Sequence, residues 1–258
     1  MTLILAKKDI DDYENLIDVY CTDLYKVLRD KSLTSNGELI DKKDFQYNDG
    51  IWTRNDLYIF YKSSEKKIIY VPTAKCAGTS ITKCLTNQSS FFAFYDDRIE
   101  FFENNFDFYI KNYKGFIVVR DVKSAWISGL NEYMTRKNKI GIDQYLKKIP
   151  QKYIVDNLKK DKFIFDLHTC PQFSGISLDL IINGFSLSFI RFGNDLEEKI
   201  SNFIEEDITL EKINSTENNS DKKENLNFCK EMFETYCENN PKFSELYKID
   251  HELYNLSK

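Results

Sequence analysis

Two apolar runs, each breaking directly into a turn and then a helical pattern, constrain this chain most. Residues 115–120 (GFIVVR) make a compact apolar segment closed by a charge, which fits a strand buried on both faces of a parallel sheet. Residues 121–136 follow with helical periodicity. Upstream, residues 68–85 (IIYVPTAKCAGTSITKCL) repeat the plan: a β-branched run, a turn holding Lys75, Ala77 and Gly78, and a helix opening near Thr79 and Ser80. Segments 57–61 and 67–71, set around Ser63-Ser64-Glu65, predict two strands, and residues 186–192 predict a further core strand. Strand–loop–helix units of this kind predict an α/β layered fold with a mainly parallel central sheet flanked by helices. Ligands of such sheets gather at the carboxyl ends of the strands, so the loops after Val71 and Arg120 are the places to search.

The remaining segments are less specific. Ile10, Tyr13, Leu16, Ile17, Tyr20, Leu24, Val27 and Leu28 recur at helical steps and predict one amphipathic helix. Residues 32–52 are polar and turn-rich, with Asn36-Gly37 and Asp49-Gly50. The aromatic run 91–97 (FFAFYDD) reads as an ordinary strand or, less simply, as a surface that stacks on a sugar. The C-terminal third is helical around a polar loop at 211–225. With no internal repeat and no boundary in composition, the chain reads as one domain over 1–258, its first 55 residues an N-terminal helical extension.

Composition removes several classes. The 36 Lys and Arg against 41 Asp and Glu leave a net charge of −5, which argues against a nucleic-acid partner but not against a local basic pocket. No apolar run approaches the ~20 residues of a membrane helix, and residues 1–14 lack a secretory pattern, so a soluble, cytoplasmic protein is expected. Cys21, Cys76, Cys84, Cys170, Cys229 and Cys237 show no paired spacing and only His168 and His251 accompany them; reduced thiols and no metal site are expected.

The turn at 72–80 has the chemistry of an anion cradle. Small residues let backbone N–H groups approach an oxyanion, the helix N-terminus adds partial positive charge, and Lys75 supplies a full one. A nucleoside-triphosphate loop needs an early glycine and a lysine after the second glycine; here Lys75 precedes Gly78 by three residues, so that match fails. A plain strand-to-helix turn accounts for the same residues, as a strand-end ion pair accounts for Arg120-Asp121.

Together, Lys75-Cys76-Ala77-Gly78-Thr79-Ser80 and Arg120 with Ser128 eight residues later resemble the two phosphate-binding motifs of sulfotransferases that use 3′-phosphoadenosine 5′-phosphosulfate (PAPS). Residues 166–172 (DLHTCPQ) are similar to the Asp-x-His-x-x-Pro-Gln segment of the carbohydrate (Golgi-type) branch and its soluble microbial or viral members. Residues 188–200 resemble its later sheet-edge segment, and Asn214-Ser215 with 245–254 (ELYKIDHELY) its closing pattern; the likeness runs from about Asp56 to the C-terminus. Ala74 and Val122 stand where the family usually has proline, Ala125 where a second arginine is frequent, and Lys123 is available to replace that charge.

The resemblance implies a P-loop-like three-layer fold and a metal-free sulfuryl transfer from PAPS to a hydroxyl of a glycan or small compound. Lys75 would act on the leaving oxygen, Lys75 and Cys76 through Ser80 would cradle the 5′ end, and Arg120 and Ser128 would hold the 3′-phosphate. His168 is the first candidate for general base, ahead of Asp96, Asp97, Glu100 and Glu103. A non-catalytic nucleotide- or glycan-binding protein and a small-molecule kinase remain the alternatives.

Overall fold

The computed structural model describes residues 15–23, 25–26, 31–33, 39–41, 57–97, 101–136, 150–173, 180–181, 183–211 and 220–257. Residues 15–20 are helical, but Cys21 leaves the helix to form a one-residue parallel bridge with Ile164, and the Thr22 amide donates to the Ile164 carbonyl at 2.9 Å. Tyr20 and Cys21 are buried with Trp126 and Phe163. This part of the N-terminal region is therefore built into the core, and the single helix predicted over 10–28 is interrupted to allow it. The turn-rich stretch contains a short antiparallel pair, β1 (Lys31–Leu33) and β2 (Leu39–Asp41).

The main sheet begins with β3 (Leu57–Ser63) and β4 (Ile68–Tyr70). After them come α1 (Gly78–Gln88), β5 (Phe92–Asp97), a π-helical turn (Phe101–Asn105), α2 (Phe106–Asn112), β6 (Lys114–Val119) and α3 (Val122–Arg136). The chain continues through α4 (Gln151–Leu158), β7 (Leu187–Arg191), α5 (Leu196–Ile204), α6 (Ser220–Tyr236), α7 (Pro241–Leu246) and α8 (Lys248–Leu256). Helix α6 starts inside the stretch predicted to be loop to residue 225.

Strand order is β5-β3-β4-β6-β7. The β4–β6 and β6–β7 pairs are parallel, whereas β3–β4 and β3–β5 are antiparallel. The sheet is thus mixed, which corrects the mainly parallel expectation. The cause is local: the turn at 64–67 is too short for a crossover and forces an antiparallel hairpin. β5 then pairs with the outer edge of that hairpin.

Alternation explains why β4 and β6 read as unbroken apolar runs. Ile69, Val71, Ile117 and Val119 face a cluster with Tyr109, Tyr113, Ile249 and Leu253, while Ile68, Tyr70, Phe116 and Val118 face Ile81, Leu85, Leu196 and Ile200. Helices cover both faces, so no position on these strands can be polar without cost. A third cluster joins Trp126, Leu130 and Tyr133 of α3 to Met232 and Phe233 of α6 and Phe243 of α7. Asn240 caps α7 by accepting from the Lys242 amide at 3.0 Å, with Pro241 at the first helical position. Arg191 at the end of β7 fixes α8: its guanidinium donates to the carbonyls of Tyr254 and Ser257 at 3.0 and 3.1 Å.

Candidate functional site

The carboxyl ends of β4 and β6 are adjacent, and both predicted loops leave from them. Thr73 Oγ1 donates to the Val118 carbonyl at 2.6 Å and ties the start of the first loop to β6. The loop then turns through left-handed residues at Lys75 (φ 63°) and Ala77 (φ 60°) before α1 begins at Gly78. Each such non-glycine residue costs about 1–2 kcal/mol. Gly78 itself has no positive φ, and a Cβ there would meet its nearest neighbours, the Thr73 carbonyl oxygen and the Tyr70 hydroxyl, at 3.5 and 3.8 Å. Ordinary contact of that kind would accept an alanine. The fold therefore places strain on a lysine and an alanine and leaves the neighbouring glycine without a packing reason. Beneath the loop, the hydroxyl of fully buried Tyr70 has no hydrogen-bond partner among the described residues.

Arg120 closes the second loop onto the first. Its Nη1 donates to the Lys75 carbonyl at 3.3 Å, and the guanidinium lies 5.0 Å from the centre of the Phe192 ring. Asp121 does not pair with it; the Asp121 carboxylate caps α3 by accepting from the Ser124 amide at 2.8 Å. The ion-pair explanation of Arg120-Asp121 thus gives way to a helix cap plus an arginine turned toward Lys75. Lys123, exposed on α3, pairs with Glu238, just past α6, at 2.8 Å.

Other predicted residues distribute unevenly. The Cys76 side chain is buried, and its thiol, pushed up to about 12 by burial, donates to Gln172 Oε1 at 2.9 Å. It anchors the loop from inside. Thr79 is exposed, whereas Ser80 is buried and lines a small polar pocket with Lys83, Gln88 and Thr209 on the side of α1. Ser128 is half-buried on α3, one residue before Gly129. The run at 91–97 is a strand at the far edge of the sheet, two places from β4, with Phe94 packed on Phe60. Glu100, Asn214 and Ser215 lie outside the described residues, as do the side chains of Asp96, Asp97 and Glu103.

Segment 166–173 is the hub that sequence reading did not resolve. His168 Nδ1–H donates to Asp166 Oδ2 at 2.9 Å and the His168 amide to Asp166 Oδ1 at 2.9 Å, so one carboxylate sets both backbone turn and ring orientation. Gln172 clamps Arg120 from both directions: Oε1 accepts from the Arg120 amide at 2.9 Å, and Nε2 donates to the Arg120 carbonyl at 2.8 Å. Asp250 of α8 in turn accepts from the amides of Gln172 and Phe173 at 2.7 and 3.3 Å. The legible signal was an aspartate between Ile249 and Leu253 on the apolar face of a helix.

A cavity of about 10 Å3 sits inside this hub, and its lining includes Ala74, Val122, Ala125, His168 and Asp250. The three residues that depart from the family pattern are therefore neighbours in space.

Asp250 makes the hub pH-dependent. Burial is the main cause that raises its carboxyl to about 7, against the pull of the Gln172 and Phe173 amides. A carboxyl raised in the fold keeps a proton that the unfolded chain releases. Its contribution is fully present below the ordinary aspartate value, is lost as pH rises toward 7, and stays lost above. Asp250→Asn is expected to flatten this dependence. The difference in unfolding free energy between wild type and variant should shift by up to about 4 kcal/mol between pH 4 and 8, read by urea titration. Parallel profiles would refute the assignment.

No family model, curated protein or solved structure matches the chain, so the reading of this site rests on its residues and their geometry.

Proposed function

We propose that this protein is a sulfotransferase that moves a sulfuryl group from PAPS to a hydroxyl of an acceptor, probed first with carbohydrates, on a P-loop-like three-layer version of its α/β fold. The observation that carries the reading is the contact of Arg120 with the Lys75 carbonyl. It makes one cationic site of two motifs 45 residues apart, at the strand ends where such sheets bind ligands. Three features fit a donor phosphate: the strained turn, a glycine that packing does not require, and the orphaned Tyr70 hydroxyl below it.

Bound PAPS would supply an activated sulfuryl group whose bond to the bridging oxygen breaks as a new sulfur–oxygen bond forms. Lys75 and the first amides of α1 would stabilise negative charge on the leaving oxygen. Arg120, held by Gln172, would grip the 3′-phosphate. His168 Nε2 would take the acceptor proton, since Asp166 orients the ring through Nδ1. Leu167, exposed next to it, offers an apolar surface to an acceptor.

Thermal-shift measurements with adenosine 3′,5′-bisphosphate, ATP and AMP test the donor class. Stabilisation by the bisphosphate above AMP and ATP is expected; a preference for ATP would favour a kinase. Turnover of labelled PAPS over a panel of hydroxyl acceptors separates an enzyme from a binding protein. Arg120→Ala should weaken bisphosphate binding roughly ten- to a hundredfold, for a charge-assisted contact of about 1.5–3 kcal/mol, with little change for AMP. Equal losses for both nucleotides, by calorimetry, would make Arg120 a structural residue only.

A further inference from the structure

Lys75 already has an anionic partner within the protein. Its amine lies 3.3 Å from Glu132 Oε2, and the two side chains are only 17% and 9% exposed. Glu132 sits on α3 one turn beyond Ser128, so the residue predicted to touch the 3′-phosphate and the one that holds Lys75 share a side of the helix. The exposed pairs Lys242–Asp161, Lys83–Glu211 and Lys123–Glu238 close to 2.6, 2.7 and 2.8 Å. Other exposed pairs, Lys111–Asp107 and Lys114–Glu205, lie at 3.8 and 3.9 Å, so what sets the Lys75–Glu132 pair apart is its low exposure, at a length beyond a good charge-assisted bond. It holds the amine three residues before α1 begins, where a second anion would also meet that helix N-terminus.

On the sulfotransferase reading of the loop, we propose that Glu132 is an internal counter-ion that competes with the 5′ end of the donor for Lys75 and so sets donor affinity. The carboxylate retains the Lys75 amine until a doubly charged 5′ group takes it, so only ligands that carry such a group bear the cost of the exchange. A 5′-hydroxyl offers Lys75 less than Glu132 does. A phosphosulfate or phosphate offers more, because the loop amides bind it at the same time. A pair that occupies the amine nine-tenths of the time lowers apparent affinity about tenfold. Glu132 was missed in the sequence because a single acid four residues after Ser128 looks like surface charge; its burial separates it from that class.

Calorimetry on four proteins decides the matter: wild type, Glu132→Gln, Lys75→Ala and the double variant. The probes are adenosine 3′,5′-bisphosphate, adenosine 3′-monophosphate and pyrophosphate. Glu132→Gln should tighten the bisphosphate and pyrophosphate about tenfold, leave the 3′-monophosphate within about twofold, and lose most of its gain in the Lys75→Ala background. No gain overturns the inference. So does an equal gain for all three probes, which would be a general field effect, or a gain that survives without Lys75. Tightened pyrophosphate binding with no nucleotide binding by any protein would keep the counter-ion and sink the PAPS donor. No binding of any probe would sink both. Should Glu132→Gln fail to fold, Glu132→Asp draws the charge back by one methylene and should tighten binding in the same direction; unchanged or weaker binding then counts against the proposal.

Discussion

Gly129→Ala is expected to destabilise the protein by about 3–5 kcal/mol, seen as a fall of roughly 10 °C in melting temperature. In an ordinary helix interior the same change would stabilise by about 0.5–1 kcal/mol, because alanine has the better helix propensity. The sign reverses here for a geometric reason. A Cβ at Gly129 would lie 2.0 Å from the His168 carbonyl oxygen and 2.7 Å from its carbonyl carbon. Both are backbone atoms, so no rotamer change relieves the clash, and either α3 or segment 166–173 must move.

That movement has a functional reading. Segment 166–173 carries the Asp166–His168 pair and the Gln172 clamp on Arg120, so displacing it should also weaken bisphosphate binding in molecules that remain folded. A variant as stable as wild type would mean that α3 and the hub are not in the close contact described.

What was legible in the sequence follows from periodicity and its limits. The β4 and β6 strands were readable because both faces are buried, and a run of β-branched residues has no other simple explanation. The start of the helix after each strand was readable to within a residue of α1 and α3. Pair direction was not: alternation in β3 and β5 says which residues are buried, not which neighbour they hydrogen-bond, and the antiparallel half of the sheet went unseen. The break at Cys21 was equally hidden, since Tyr20, Leu24 and Val27 keep helical spacing even though the bridge to Ile164 interrupts the backbone. Lys75 and Arg120 stood out as candidates because cations at strand ends are locally conspicuous, and the structure brings their loops into contact. Gln172, Asp250 and Glu132 did not, since their roles depend on partners 52, 78 and 57 residues away.

Lys75→Ala should remove far more rate than donor affinity. The backbone of this residue is held in place independently of its side chain: Arg120 bonds its carbonyl, and the neighbouring Cys76 thiol is anchored on Gln172. Alanine can occupy the left-handed conformation at a cost similar to lysine, as Ala77 does two residues on. The loop shape, and with it the amide contacts to a bound 5′ group, should therefore survive. What disappears is one charge, and on the sulfotransferase reading that charge matters most where the bridging oxygen becomes anionic. Loss of a preorganised group acting there costs on the order of 10²–10³ in turnover. The bisphosphate should lose less, because Lys75 must leave Glu132 to bind it, and part of the interaction is spent on that exchange. Steady-state kinetics with labelled PAPS and an acceptor from the panel, run beside calorimetric titration of the bisphosphate, measures both quantities on the same preparations. A turnover number unchanged from wild type with only a weaker donor constant would remove Lys75 from the chemical step and leave it as a binding residue.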